Sequence, residues 1–128
     1  MMGVTILTTF TPEVCKKVYG DEPASMVMFF SRMLAECKCD GVICSPLELA
    51  LLMEDEKTRK LIKVIPGIRP LWAQPQDQKR TMTPEEAVKA GADYLVIGRP
   101  ITNPPKDIGS PVQAVEKIIE EIEQAEPA

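Results

Sequence analysis

The sequence of 128 residues contains no histidine, and its four cysteines do not form a C-x-x-C pair. Those cysteines are Cys15, Cys37, Cys39 and Cys44, and the closest two form a C-x-C string. A protein metal site usually combines C-x-x-C pairs with each other or with histidine. We therefore expect no metal, and we interpret the cysteines as structural or incidental thiols.

An excess of basic residues is also missing, since the net charge is −4 and the pI is about 4.9. This balance argues against a sequence-independent grip on nucleic acid or on an anionic membrane. No apolar run approaches the ~20 residues that a membrane span needs. The amino terminus lacks the features of a signal peptide, so we expect a cytoplasmic protein. Net charge does not decide whether a protein binds phosphorylated metabolites, because a local arginine and backbone N–H groups hold the phosphate.

What is present is an alternation of short apolar runs with capped helices. Aromatic residues make up 5% and apolar residues 45% of the chain, which is typical of an aliphatic α/β core in one domain, residues 1–128. Strands are predicted at 4–7, 41–44, 61–65 and 94–97. Strands that alternate with helices pair in parallel through right-handed crossovers. The sequence thus predicts four βα units.

Helix starts support this division of the chain. Hydroxyl, proline and a Glu or Gln three residues after the hydroxyl recur at 45–48, 83–86 and 110–113, which is the signature of a capping box with proline in the first turn. Between the first two strands, i, i+3, i+4 spacing predicts a strong helix. Its predicted apolar face comprises Met26, Phe29, Phe30, Met33, Leu34 and Cys37.

Four βα units amount to half of a TIM (βα)8 barrel, which needs about 250 residues. Helices on one face of a four-stranded parallel sheet would leave two bare edges and one uncovered apolar face. Such a sheet should find a partner, either a second copy or a missing half. The alternative architecture is a small doubly wound sheet with helices on both faces, and composition does not choose between the two.

Two glycine–arginine loops follow neighbouring strands. PGIR at 66–69 follows the third strand, and Gly98-Arg99 follows the fourth. Glycine lets the backbone approach an anion, and a guanidinium grips it with two hydrogen bonds. Gln78, in the polar loop between them, adds an amide. Each glycine could be a turn residue and each arginine solvated, but two such loops at successive strand ends favour an anion site.

Other polar residues point to structural roles. Asp40 and Asp93 precede the second and fourth strands, at the end of a barrel that serves stability and not activity. Residues 54–60 are interpreted as a solvated helix end, and residues 120–126 as an acidic solubilising tail.

These residues carry a family resemblance. DGVICSP at 40–46, PGIRP at 66–70, DQKRTMTP at 77–84 and GADYLVIGRPIT at 91–102 closely resemble the carboxyl half of orotidine 5′-phosphate decarboxylase. The resemblance runs from the fifth strand of that barrel, matched by VTILTT at 4–9, to its eighth helix. It implies a cofactor-free (βα)8 barrel, normally a homodimer, that makes UMP from orotidine 5′-phosphate in pyrimidine synthesis.

The resemblance also implies roles for single residues. A hydroxyl residue near the pyrimidine, a loop over the nucleotide, an amide that bridges phosphate and base, and a phosphate grip all have counterparts here. In that order, the substrate-binding residues implied are Thr8, Pro66 and Arg69, Gln78, and Gly98 with Arg99.

The family's catalytic signature, D-x-K-x-x-D, does not occur in the sequence. The resemblance assigns it to the amino half of the barrel, where its lysine protonates the carbanion left by CO2. We therefore expect the chain alone to bind UMP weakly and to be inactive without that half. Two alternatives stay open: a non-catalytic half-barrel that homodimerises to cover its open sheet, and another phosphate-binding barrel enzyme, which the DQKR loop disfavours.

Overall fold

In the computed structural model, which describes residues 1–73 and 80–125, four strands form one parallel sheet. The strands are β1 Met2–Val4, β2 Gly41–Ile43, β3 Ile62–Ile65 and β4 Tyr94–Leu95. The helices of the described residues are α1 Pro12–Tyr19, α2 Pro23–Glu36, α3 Leu49–Glu54, α4 Pro84–Lys89, α5 Arg99–Thr102 and α6 Pro111–Gln124, and a 3-10 turn spans Pro46–Glu48.

The strands lie in the sheet in chain order, β1-β2-β3-β4. The register aligns Val4, Ile43, Val64 and Tyr94 in one row across the sheet. A doubly wound sheet reverses its strand order at a switch point, whereas a barrel adds each strand beside the last. The sequential order therefore confirms the predicted half-barrel architecture, and the doubly wound alternative is wrong.

One face of the sheet is covered and the other is open. Val42, Cys44 and Ile65 are buried with the helices' apolar residues in one core. The row formed by Val4, Ile43, Val64 and Tyr94 points to the other face of the sheet, where Val4 is 60% and Tyr94 63% exposed. Side chains alternate across a strand, so this contrast shows that the packing is on one face only. The open face corresponds to the interior of a complete barrel.

The first strand is shorter than predicted and begins earlier. The prediction placed it at 4–7, but it ends at Val4. Thr5 still donates its N–H to the Ile43 carbonyl at 3.0 Å, and the chain then turns, with Phe10 N–H donating to the Leu7 carbonyl at 3.0 Å. The apolar run was misleading because Ile6 is buried in the core from a loop and not from a strand.

The predicted apolar face of α2 is wrong in part. Phe29 is 58% and Met33 44% exposed, whereas Val27 and Ser31 are fully buried. Met26, Phe30 and Leu34 of the predicted face do pack against the core. A Cβ at Gly3 of β1 would overlap the side chain of Leu34. The helix thus lies against β1 at Leu34, and its fully buried residues are offset from the predicted face towards Val27 and Ser31.

Two of the three predicted capping boxes are confirmed. Thr83 Oγ1 accepts from Glu86 N–H at 3.2 Å, and a Glu86 carboxylate oxygen accepts from Thr83 N–H at 2.9 Å. Ser110 and Gln113 form the same reciprocal pair at the start of α6. Each box satisfies two helix N–H groups that lack partners within the helix.

The strand starts carry structural ion pairs, in line with the sequence-based interpretation of Asp93. An Asp93 carboxylate oxygen accepts from Lys63 N–H at 2.8 Å and lies 3.3 Å from Lys63 Nζ. The Lys63 side chain, 5% exposed, also donates to the Leu61 carbonyl at 2.7 Å. These contacts join the beginnings of β3 and β4.

No helix of the described residues is long and apolar enough to cross a membrane.

Residues 54–60 are not simply a solvated helix end. Asp55 accepts from the N–H groups of Lys57 and Thr58 at 2.9 and 3.1 Å, and its carboxylate lies 2.7 Å from Arg32 Nη2 of α2. Thr58 is fully buried and donates to the Leu52 carbonyl at 2.9 Å. The Arg32 guanidinium, with these backbone donors, lowers the pKa of the Asp55 carboxyl below its usual value.

This shift predicts an acid-dependent part of the stability. Because the folded pKa of Asp55 is lowered, its contribution is present above the unfolded value, about 3.9, and is lost as pH falls through the folded pKa. In Asp55→Asn the urea unfolding midpoint should fall less steeply below about pH 4 than in the unchanged chain. Arg32→Met should flatten the profile in the same way. If both variants keep the full pH dependence of the unfolding midpoint, the Arg32–Asp55 pair is not the source of that dependence.

Candidate functional site

The loops that follow β1, β2 and β3 meet around Gly67. Its φ is +77°, and an added Cβ would lie 2.8 Å from the Arg80 carbonyl oxygen, 3.4 Å from Pro46 Cδ and 3.5 Å from Thr8 Cγ2. Only glycine adopts this left-handed conformation without strain. The turn therefore brings Thr8, from beyond the first strand, against the loop that begins with Pro66.

The loop after β3 is fixed by a short backbone ladder. Ile68 pairs with Met82 in a parallel bridge. Arg69 N–H donates to the Met82 carbonyl at 2.8 Å, and Met82 N–H donates to the Gly67 carbonyl at 3.2 Å. Arg69 itself is half-buried, as is Pro66. The backbone at the predicted nucleotide loop is thus held in place by the segment that returns towards α4.

Gly98 and Arg99 follow the neighbouring strand at the same edge of the sheet. Val96 N–H donates to the Ile65 carbonyl at 2.9 Å, so the parallel pairing runs up to the start of both loops. Gly98 and Arg99 are exposed, and an added Cβ at Gly98 would meet no atom within 4 Å. Gly98 thus presents a bare Cα to open space beside the exposed Arg99, where an anion could approach.

Gln78 lies outside the described residues, which resume at Arg80. The last described residues before that segment include Trp72, whose Nε1 donates to a Glu121 carboxylate oxygen of α6 at 2.9 Å. Trp72 is the single tryptophan of the chain, so its fluorescence reports on this edge of the sheet.

A buried ion pair that the sequence analysis missed lies beneath the Gly67 turn. Arg80 Nη2 donates to Glu48 Oε1, and the two side chains are 9% and 6% exposed. The sequence predicted that Glu48 would return to the Ser45 cap. Instead, Ser45 Oγ accepts from Leu47 N–H at 3.2 Å in a 3-10 turn, and Glu48 points inward to the arginine. This third capping box is therefore wrong.

The environment of that pair keeps a nearby thiol protonated. Burial, with the Glu48 carboxylate nearby, raises the pKa of Cys44 to about 12. Burial also raises the pKa of Cys15. A protonated thiol is a poor nucleophile and a poor metal ligand. Within the described part of the chain, no three His, Cys, Asp or Glu residues are grouped so that they could hold a metal.

Comparison with known proteins decides the family. The model of the orotidine 5′-phosphate decarboxylase / HUMPS family matches residues 1–118. The chain belongs to this family. A curated orotidine 5′-phosphate decarboxylase from Trichlorobacter lovleyi is 46% identical over 123 residues, which is 95% of this chain and 49% of that protein. One from Dictyoglomus turgidum is 41% identical over 125 residues, 96% of this chain and 49% of that protein.

Solved structures of the family agree with the fold. A crystal structure of orotidine 5′-phosphate decarboxylase from Lactobacillus acidophilus is 32% identical with a TM-score of 0.71, covering 94% of this chain and 48% of that one. The enzyme from Pyrococcus horikoshii matches with a TM-score of 0.53 at 27% identity, covering 80% of this chain and 42% of that one. The chain thus spans about half the length of the relatives that it matches.

Proposed function

We propose that this chain is the phosphate- and nucleotide-binding half of an orotidine 5′-phosphate decarboxylase, which converts orotidine 5′-phosphate to UMP and CO2. The observation that carries the proposal is the meeting of the strand-end loops around Gly67, in a chain that belongs to this family. Ligand sites of parallel α/β barrels lie at this end of the strands.

In this proposal each strand-end residue contacts a different part of the nucleotide. Gly98 and Arg99 hold the phosphate, with the guanidinium donating two hydrogen bonds. Gln78 bridges phosphate and base, and Pro66 with Arg69 covers the nucleotide. Thr8 offers its hydroxyl to the pyrimidine. The phosphate is remote from the bond that breaks, so its binding energy holds the substrate while other groups do the chemistry.

Those other groups are proposed to come from the amino half of the barrel. The 128 residues contain no D-x-K-x-x-D string, and one row of the open sheet face carries the aliphatic Val4 and Val64 and the phenol of Tyr94, with no lysine or carboxylate among these three. A lysine and carboxylates supplied across that face would protonate the carbanion and stress the substrate carboxylate. Orotidine 5′-phosphate and the missing half-barrel are thus the proposed partners.

A complementation assay tests this proposal. When orotidine 5′-phosphate is incubated with the purified chain alone, the absorbance of the substrate should not decrease. Mixing it with the amino half of the Trichlorobacter lovleyi relative, which carries the remaining length, should produce UMP and CO2. Steady turnover by the chain alone, free of contaminating enzyme, would contradict the proposed division of labour. A mixture that forms a complex and turns over nothing would contradict the proposed function.

The same open face supports a second candidate, a non-catalytic half-barrel that pairs with its own copy. An uncovered parallel sheet with exposed Val4 and Tyr94 can be covered by a second copy as well as by an amino half. Molar mass in solution combined with UMP titration separates the two. A homodimer without affinity for UMP favours the assembly unit, whereas UMP binding favours the nucleotide-binding half.

A further inference from the structure

We propose that the buried Glu48–Arg80 ion pair is a positioning device that fixes the nucleotide loop after β3. The inference deepens the proposed function and rests on it for the identity of the ligand. Neither side chain is placed against the nucleotide; the pair acts through the Arg80 carbonyl and the Met82 backbone that follows it.

The ion pair joins two separate loops. Glu48 ends the 3-10 turn that follows β2, and Arg80 is the first described residue after the segment that contains Gln78. The Arg80 carbonyl oxygen packs against Gly67, where an added Cβ would lie 2.8 Å away. Tethering the Arg80 side chain to Glu48 therefore fixes its carbonyl against the Gly67 turn.

The tether extends to Arg69 through the backbone ladder. Met82, two residues after Arg80, accepts from Arg69 N–H and donates to the Gly67 carbonyl. If Arg80 moves, Met82 moves with it, and the register that orients Arg69 is lost. The ion pair thus bears on the backbone of Arg69, which is proposed to cover the nucleotide.

The chemistry of the pair suits a geometric role better than a stabilising one. Both ions are nearly excluded from water, and Glu48 Oε2 and Arg80 Nη1 have no hydrogen-bond partner among the described residues. Buried ion pairs often give no net stability over apolar side chains of similar volume. What an apolar pair cannot supply is a directed hydrogen bond between two defined atoms.

This difference gives the test. Glu48→Leu with Arg80→Met replaces the ions by apolar side chains and should leave the urea unfolding midpoint close to that of the unchanged chain. The amides of Arg69 and Met82 should nevertheless exchange with solvent about tenfold faster, and UMP affinity should fall about tenfold. The exposed Lys57–Glu36 pair, 2.9 Å apart, supplies the control: Glu36→Leu with Lys57→Met should change neither readout.

Unchanged amide exchange and unchanged UMP affinity in the apolar double variant would overturn the inference. If the unchanged chain does not bind UMP, the proposed function fails, and amide exchange alone decides the positioning role. If the double variant does not fold, Arg80→Lys, which keeps the charge but not the fork of donors, takes its place. Faster exchange at Arg69 and Met82 in that folded variant supports positioning, and unchanged exchange refutes it.

Discussion

Gly67→Ala is expected to lower the free energy of unfolding by about 3 kcal/mol and to weaken UMP binding by about tenfold or more. The left-handed φ of +77° costs an alanine about 1–2 kcal/mol. The new methyl group would also stand 2.8 Å from the Arg80 carbonyl oxygen, which must shift. Urea unfolding measures the stability, and fluorescence of Trp72 measures the binding.

Gly20→Ala is the matched control for that prediction. Gly20 also has a left-handed φ, +84°, but an added Cβ there would meet no atom within 4 Å. Its cost should be the conformational part alone, about 1–2 kcal/mol, with UMP binding unchanged. Equal effects of the two substitutions would show that the convergence of loops on Gly67 does not constrain the site.

Val4→Lys should abolish complementation by the amino half while leaving this half folded. Val4 lies on the open sheet face and is 60% exposed, so a lysine is solvated there as long as the face is uncovered. Covering the face would bury the ammonium group away from water, at a cost of about 3 kcal/mol or more. That cost corresponds to a loss of roughly 100-fold or more in association.

Val18→Lys provides the comparison, since Val18 on α1 is 59% exposed and does not belong to the sheet. It should complement as well as the unchanged chain. Molar mass and decarboxylation in the mixture measure both variants. Full activity of Val4→Lys would show that the open face is not where the other half binds.

Much of the fold could be predicted because local signals and the global order agree. The Thr83 and Ser110 boxes fix where α4 and α6 begin, and both follow from residue chemistry within four positions. The strands predicted at 41–44 and 61–65 match β2 and β3 to within one residue, because they are bounded by turns and contain β-branched residues. Family membership and the half-barrel sheet confirm the resemblance seen in the strand-end motifs.

The rest depends on packing, which no local pattern shows. Helical spacing placed Phe29 and Met33 on the buried face of α2, but both are exposed, and Val27 and Ser31 are fully buried instead. Local sequence predicted that Glu48 would accept a hydrogen bond at the Ser45 cap, but Glu48 accepts one from the distant Arg80 instead. The available signal for this ion pair was a carboxylate on one strand-end turn and an arginine on the next loop. The pairing could be inferred only once the order of the strands in the sheet was known.

The proposed roles of the site residues stay predictions. The structure brings Thr8 to the loop of Gly67 and puts Gly98 and Arg99 at the same edge of the sheet. Gln78 lies outside the described residues, so its role rests on the resemblance alone. The division of the chain as a single unit, residues 1–128, is likewise a prediction.

The central claim is that these loops hold a nucleotide by its phosphate, and paired titrations of the chain with UMP and uridine test it most directly. The change in Trp72 fluorescence should saturate with UMP. The affinity for uridine should be lower by about tenfold or more, because uridine lacks the phosphate that accepts charge-assisted hydrogen bonds. Inorganic phosphate should compete with UMP. Equal affinities for UMP and uridine, or no binding of either, would contradict the claim.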